Sequence, residues 1–112
     1  MANYYRNAFY DPTVTTAVTV YTCPSNSRAI IQNIQVTNES GSKVFKASIT
    51  DSSAATTYQI AYASISGPTI CNVASGPIIL EESDSLKLAS TNVSYISAVV
   101  SILEMNRNDQ NG

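Results

Sequence analysis

The stretch "GPIILEESDSLKLAS", residues 76–90, contains two apolar runs that are separated by a polar connection. Three carboxylates, Glu81, Glu82 and Asp84, lie within four positions between the triplet "IIL" and the alternating segment "SLKL". An Asp followed by a Ser is typical of a turn, because the Asp side chain accepts a backbone N–H. The stretch therefore predicts two β-strands that are joined by a solvated turn.

The same carboxylates are also the natural candidates for a cation site or a catalytic pair. A calcium loop needs five or more oxygen ligands at ordered positions and a glycine for its sharp bend, and this segment lacks that pattern. A catalytic pair would require Glu81 to face Glu104 across a cleft. The turn is the simpler interpretation, and we predict no metal site and no cofactor.

Period-two alternation and β-branched residues recur from Val14 to Leu103, whereas no window shows sustained helical spacing. Turn signals every eight to twelve residues, in a chain of this length, predict an all-β fold with roughly seven to eight strands. We predict a single antiparallel β-sandwich, jelly-roll-like, over residues 13–105, with an extended N-terminal arm at 1–12 and a polar C-terminal tail at 106–112. The alternation aligns the following sets of side chains on one face of each strand: Val14, Val18 and Val20; Ile30, Ile34 and Val36; Phe45, Ala47 and Ile49; Tyr58, Ile60 and Tyr62; and, facing the core, Leu86 and Leu88.

Composition excludes several functional classes. The 112 residues suit one domain, 12% of them are charged, and the formal net charge is -2. Such a sequence offers no basic surface to attract phosphates, so we predict no nucleic-acid binding. No apolar run approaches the roughly 20 residues of a membrane helix, and the first residues do not resemble a secretory signal. We therefore predict a protein that is made in a host cytoplasm and does not bind a membrane.

Few reactive side chains are present. The sequence contains no His, so the most common general base and metal ligand is missing. Cys23 and Cys71 lie far apart in sequence and neither is next to a cluster of cations. They are predicted to be core thiols in a reducing compartment, and whether they meet in an oxidising one stays open. We predict that the protein is not an enzyme.

The N-terminal segment "NYYRNAFYDP", residues 3–12, is rich in aromatic side chains but shows no strand pattern. Tyrosine, phenylalanine and arginine are favoured at protein interfaces, because they combine a large apolar area with a polar group. The arm could lie against its own sandwich or bind a neighbouring subunit. Its predicted partner-binding residues are Tyr4, Tyr5, Arg6, Phe9 and Tyr10.

The last strand, "VSYISAVVSILEM", is apolar on both faces. Alternation directs Tyr95, Val99 and Leu103 to one side, and the remaining large side chains to the other. One face can lie against the opposite sheet, but the other needs the arm, a loop or another subunit to cover it. Tyr95, Val99 and Leu103 form a second predicted partner-binding set.

Three stretches together resemble the small single-domain β-sandwich virion proteins of tailed bacteriophages, including those of cyanobacterial phages. These stretches are "VYTCPSNSRAIIQNIQVTNES" at 20–40, "GPIILEESDSLKLAS" at 76–90 and "ISAVVSILEM" at 96–105. The shared pattern describes turns and core positions, and it does not include the aromatic arm. The matching residues are Pro24, Asn38, Leu80, Glu81, Asp84, Leu86 and Glu104.

The resemblance implies a structural component of the virion. We predict first a capsid decoration or cement protein that binds the major capsid protein, and second a neck or tail component. Self-association into a homo-oligomer is expected in both cases. A carbohydrate-binding module is a further alternative, in which Tyr58, Tyr62 and Tyr95 would form a stacking platform.

Overall fold

The computed structural model describes residues 2–106, so most of the predicted C-terminal tail lies outside the described residues. The described part of the chain contains nine strands and no helix that could span a membrane. The strands are β1 (Ala2–Tyr10), β2 (Val18–Thr22), β3 (Ser27–Asn38), β4 (Ser42–Asp51), β5 (Thr56–Ser66), β6 (Thr69–Asn72), β7 (Ile78–Leu80), β8 (Ser85–Ser90) and β9 (Ile96–Asn106).

The strands form two antiparallel sheets. Sheet I has the order β1-β9-β3-β6, with β7 also paired to β3, and sheet II has the order β2-β8-β4-β5. The early strands therefore pair with the late ones in reverse order: β1 with β9, β2 with β8, β3 with β6 and β7, and β4 with β5. This is the arrangement of a jelly roll, in which a long hairpin is rolled into two layers. The prediction of an all-β, jelly-roll-like sandwich is confirmed, but the described chain has nine strands and not the predicted seven to eight, because the N-terminal segment is also a strand.

The core lies between the two sheets. Residues that are directly opposite each other on neighbouring strands share a face of the sheet, so the strand register shows which side chains point inward. On β4, Phe45 and Ala47 are fully buried and Ile49 packs against them. Leu86 and Leu88 on β8 are also fully buried. The faces predicted for β4 and β8 are therefore confirmed.

The face predicted for β2 is wrong at one end. The register with β8 shifts between Thr19 and Tyr21, which brings Tyr21 opposite the buried Leu86. A β-bulge of this kind reverses the alternation beyond it, because one residue has no opposite partner. Tyr21 therefore faces the core, and Val14 precedes the strand and is exposed.

The face predicted for β3 is wrong at Ile30. The register with β9 shifts between Ile31 and Asn33, so the strand changes its inward residues at this point. Ile31 and Ile34 are both fully buried, whereas Ile30 lies on the outer side of sheet I. Only a bulge allows two residues that are three positions apart to share the core face.

The common face predicted for Tyr58 and Tyr62 is also wrong. The register between β4 and β5 shifts near Ile60, so that Tyr58 lies opposite Ile49 and Tyr62 lies opposite Lys46. Ile49 faces inward and Lys46 faces outward, which places the two tyrosines on opposite faces of sheet II.

The N-terminal segment is a strand, in contrast to the predicted unpatterned arm. β1 pairs with β9 over nine consecutive residues without a register shift. Its alternation directs Arg6, Ala8 and Tyr10 inward, and Tyr5 and Phe9 outward. The pattern was hidden because aromatic and polar side chains occur on both faces, so hydrophobicity alone shows no contrast between them.

Candidate interaction surface

A buried carboxylate on β9 contacts both β1, in its own sheet, and β2, in sheet II. Glu104 on β9 is only 3% exposed, and its Oε1 lies 3.1 Å from Nε of Arg6 on β1. The hydroxyl of Tyr21 on β2 donates to the same oxygen at 2.6 Å, and burial together with this bond raises the pKa of Tyr21. The Arg6 guanidinium also lies 5.3 Å from the ring centre of Tyr4. A buried charge needs such partners, since an unpaired one would be strongly destabilising.

Tyr10 is a core residue. Its ring is almost fully buried and meets Phe45 of sheet II edge to face, with ring centres 5.8 Å apart. Burial raises the pKa of its hydroxyl. Three of the five side chains that were predicted to bind a partner, Tyr4, Arg6 and Tyr10, therefore point inward, and the buried Tyr10 is not available at the surface.

Tyr5 and Phe9 point outward on sheet I, where exposed apolar side chains form rows that are separated by polar side chains. The register aligns Tyr5, Leu103 and Ile30 in one row across β1, β9 and β3, and Ile79 of β7 extends the row. Phe9 lies opposite Val99 two rows further along the same face, and the row between them consists of Asn7, Ser101 and Asn33. We define the apolar outer face as Tyr5, Phe9, Ile30, Ile70, Ile79, Val99 and Leu103. The most exposed members are Tyr5 at 81%, Phe9 at 72%, Ile79 at 65% and Ile70 at 64%.

The predicted set on the last strand contributes to this surface. Val99 and Leu103 lie on the apolar outer face and are half-buried. Tyr95 precedes β9 in a turn with a φ of 63°, where its carbonyl accepts a hydrogen bond from the Glu39 amide at 2.8 Å. Its exposed ring and Phe9 border a shallow cavity of about 590 Å³. β1 lies beside β9 within the sheet and so leaves this face uncovered.

Three residues of the apolar outer face were missed in the sequence. Ile30 was predicted to share a face with Ile34 and Val36, Ile70 lies on β6 opposite Thr37, and Ile79 lies on β7 opposite Ile30. A signal for Ile79 was present, because the middle residue of "IIL" must face away from the two residues beside it in a strand. Ile70 gave no comparable signal.

The outer face of sheet II has a different character. Hydroxyl groups form one row across its four strands, with Thr22 and Ser85 3.0 Å apart and Thr50 and Thr57 2.8 Å apart. Lys46 also lies on this face, and its ammonium is 5.7 Å from the ring centre of Tyr62. The two outer faces therefore differ: large exposed apolar side chains are concentrated on sheet I, and hydroxyl groups on sheet II.

The acidic connection is a turn between β7 and β8. Asp84 is buried, and its carboxylate accepts hydrogen bonds from the amides of Ser52 at 3.1 Å and Glu81 at 3.0 Å. Glu82 lies 3.6 Å from the Arg28 guanidinium. Within residues 2–106, no group of three or more His, Cys, Asp and Glu residues is arranged to hold a metal ion.

The alternative sites from the sequence are not assembled by the fold. Glu81 is exposed in its turn, whereas Glu104 is buried and bonded to Arg6 and Tyr21. In the predicted stacking platform, Tyr58 and Tyr62 lie on opposite faces of sheet II. Tyr95 lies beside sheet I, away from both. Neither a shared carboxylate cleft nor a common aromatic platform is present in the described chain.

Both cysteines are free thiols. Cys23 is fully buried, and burial together with the nearby Glu104 charge raises the pKa of its thiol to about 11. A thiol with a raised pKa is a poor nucleophile at neutral pH, because the reactive thiolate is scarce. Cys71 is half-buried on β6.

No known protein family matches the chain, and no curated protein matches it either. Solved structures do show similarity. A chain in the structure of infectious bursal disease virus, Gx strain, aligns with 96% of this chain at 10% identity and a TM-score of 0.54. A pentameric capsid protein isolated from metagenomic phage sequences aligns with 92% of it at 16% identity and a TM-score of 0.40. This chain spans 31% of the first of those chains and 59% of the second. At such identities the first similarity shows a shared fold.

Proposed function

We propose that this protein is a non-enzymatic structural component of a tailed-phage virion, and that the apolar outer face binds a neighbouring virion protein. The exposure of Tyr5, Phe9, Ile70 and Ile79 on one side of sheet I carries this proposal. Several large apolar side chains that are more than half exposed on one side of a sheet commonly mark an interface, here one with polar residues between its apolar contacts.

The fold adds support by analogy. Jelly rolls occur in viral capsid domains as well as in lectins and cupins, so the fold alone does not decide between these classes. A chain in a virus structure shares the fold over nearly the whole length of this one. The lectin alternative loses its support from the sequence, because Tyr58 and Tyr62 lie on opposite faces of their strand.

The contrast between the two outer faces favours a capsid decoration or cement protein. Sheet I would lie on the major capsid shell, while the hydroxyl-rich face of sheet II would remain in water. Many copies of a decoration protein stabilise a shell even if each contact is weak, because all of these contacts must break before the shell can open. A neck or tail component is the alternative within the virion.

The test is to purify virions of the phage whose genome encodes this chain and to count the copies of the chain per virion. Quantitative mass spectrometry against the major capsid protein should give on the order of hundreds of copies for a decoration protein on a symmetric shell. About a dozen copies or fewer, as in a ring of the neck or tail, would favour the alternative. Absence from the particles would overturn the proposal.

A further inference from the structure

The N-terminal strand forms an open edge of sheet I. Within residues 2–106, β1 pairs with β9 alone, so the backbone groups on its other edge have no strand partner. Proteins usually protect such edges with short strands, lysines, prolines or bulges, because an open edge is a template for another strand. β1 is nine residues long, contains no Lys or Pro and pairs without a register shift.

The other edges of the described sheets carry these protections. On sheet I, β6 has four residues and β7 has three. On sheet II, β2 has five residues and a register shift, and β5 has a shift near Ile60. β1 therefore differs from every other edge strand in the described chain, and it offers a long regular edge.

An inward-pointing charge on an edge strand can also oppose pairing. Arg6 is the only charged residue of β1, and its side chain points toward Glu104, whose Oε1 lies 3.1 Å from its Nε. The buried Glu104 carboxylate lies on the core side of the sheet and partly neutralises the Arg6 guanidinium. Arg6 therefore does not prevent a second strand from approaching. It does restrict which residue that strand can place opposite it.

We propose that β1 pairs antiparallel with β1 of a second copy of this chain, around a twofold axis at Asn7. This register places Tyr5 opposite Phe9 of the second copy, and Phe9 opposite its Tyr5, on the outer side of the joined sheet. Arg6 then lies opposite the small Ala8 of the second copy. Aromatic cross-strand pairs stabilise antiparallel sheets, and here the symmetry forms the pair twice.

Neighbouring registers are less favourable. An axis at Arg6 would place two guanidinium groups directly opposite each other, and like charges in this position are destabilising. An axis at Ala8 would place Tyr5 opposite Asp11 and would break both aromatic pairs. The self-complementary spacing of Tyr5 and Phe9 about Asn7 is the reason for choosing a second copy as the occupant, rather than a strand of another protein.

The pairing would join two sheets I into one continuous sheet and would double the apolar outer face. It concerns copies of this chain alone, so it can be tested on the purified protein without any particle. Its failure would leave the proposed virion role untouched, and the absence of the protein from particles would leave the pairing untouched.

A charge-exchange experiment tests the register directly. Sedimentation velocity of the wild-type protein at about 100 μM should show a dimer, since pairing of modest affinity is populated there. The double variant Y5K/F9K should be a monomer, because each lysine would face a lysine of the second copy. The variant Y5K/F9E should restore the dimer, because each lysine would then face a glutamate.

Both positions are exposed, so all three proteins should show the same urea midpoint at a dilution where the wild type is monomeric. A wild-type monomer at about 100 μM would overturn the proposal. A dimer that persists in Y5K/F9K, or one that Y5K/F9E fails to restore while both variants remain folded, would overturn it as well.

Cross-linking gives an independent readout. In a C71S background, the cysteine introduced by N7C would lie directly opposite the same cysteine of the second copy, with the two Cβ atoms about 5 Å apart. The matched control is N3C on the same exposed face, whose cysteines would be about 27 Å apart at the usual rise per residue. A short bismaleimide should link N7C and leave N3C unlinked, and equal linking of both would contradict the register.

Discussion

At the scale of single residues, one buried carboxylate explains why the N-terminal segment is a strand and not a loose arm. Glu104 accepts the hydroxyl of Tyr21 from sheet II and pairs with Arg6 from β1, so it connects three strands at one oxygen. Its burial is tolerated only because both partners are present. The resemblance in sequence marked Glu104 as a shared position, but it gave no role for the side chain.

Breaking this pair from either side should therefore destabilise the protein. We expect E104A to lower the free energy of unfolding by about 2 to 4 kcal/mol, because the Tyr21 hydroxyl and the Arg6 charge lose their acceptor. R6A should cost a similar amount, because it leaves the buried Glu104 carboxylate without its counter-charge, and E104Q should fall between E104A and wild type. Urea denaturation measures all three, and an E104A protein as stable as wild type would contradict the role of this contact.

Two buried groups and one partly buried group set the response of stability to alkaline pH. The pKa of Cys23 is raised to about 11, and those of Tyr10 and Tyr21 are also raised, in each case mainly by burial. The folded state therefore keeps these protons to higher pH than the unfolded state, which begins to lose them near the ordinary thiol value of 9.0. The free energy of unfolding should fall as pH rises above about 9.

Urea midpoints measured from pH 8 to the alkaline limit of solubility check this expectation. C23A should have a shallower decline than wild type, because one of the three groups is removed. A midpoint that stays constant or rises across this range would show that these groups titrate alike in the folded and unfolded states.

Gly67 is required where two loops approach closely. A Cβ at this position would lie 2.7 Å from the Ser40 amide nitrogen and 2.9 Å from the Asn38 carbonyl oxygen, and both are backbone atoms. G67A should therefore destabilise the fold by about 1 to 3 kcal/mol, as overpacking does elsewhere. G76A is the matched control, since nothing lies within 4 Å of its added Cβ. Equal thermal midpoints for the two variants would refute the close approach.

At the scale of elements, local alternation was informative wherever a strand lacks a bulge. β4 and β8 pair without a shift, and the faces of Phe45 and Leu86 follow from the sequence. β2, β3 and β5 each take part in a register shift, and each shift reverses the alternation that the sequence displays. The pairing of β1 with β9 joins the two ends of the described chain, and no local pattern can reveal it. Val99 and Leu103 of the apolar outer face were predictable from alternation, because the extra residue of the β3–β9 register shift lies on β3 and β9 is regular.

The two aromatic faces of β1 should respond differently to truncation. Y10A removes a buried ring that packs on Phe45, and we expect it to cost about 3 to 5 kcal/mol. Y5A removes an exposed ring and should change the free energy of unfolding by less than about 0.5 kcal/mol at concentrations where the chain is monomeric. Similar small effects for both variants, in urea denaturation, would instead indicate a detachable arm.

At the scale of the whole molecule, the rolled hairpin produces two outer faces of different character. Sheet I exposes several aromatic and branched side chains between polar ones, and sheet II exposes mainly hydroxyls, with Lys46 and Tyr62. The exposed apolar side chains of the apolar outer face favour association, because burial against a partner removes them from water. The asymmetry suits a protein that lies on a large assembly with one face covered and the other in solvent.

The central claim is that the apolar outer face attaches this protein to a virion. The most direct measurement is the number of copies per purified particle for the variant I70S/I79S, whose residues lie away from β1 and are well exposed. Its control is Y62S, which removes a similarly exposed large side chain from the outer face of sheet II. We expect I70S/I79S to remain folded and to be largely lost from the particles, while Y62S is retained at the wild-type number. Wild-type incorporation of folded I70S/I79S would contradict the claim.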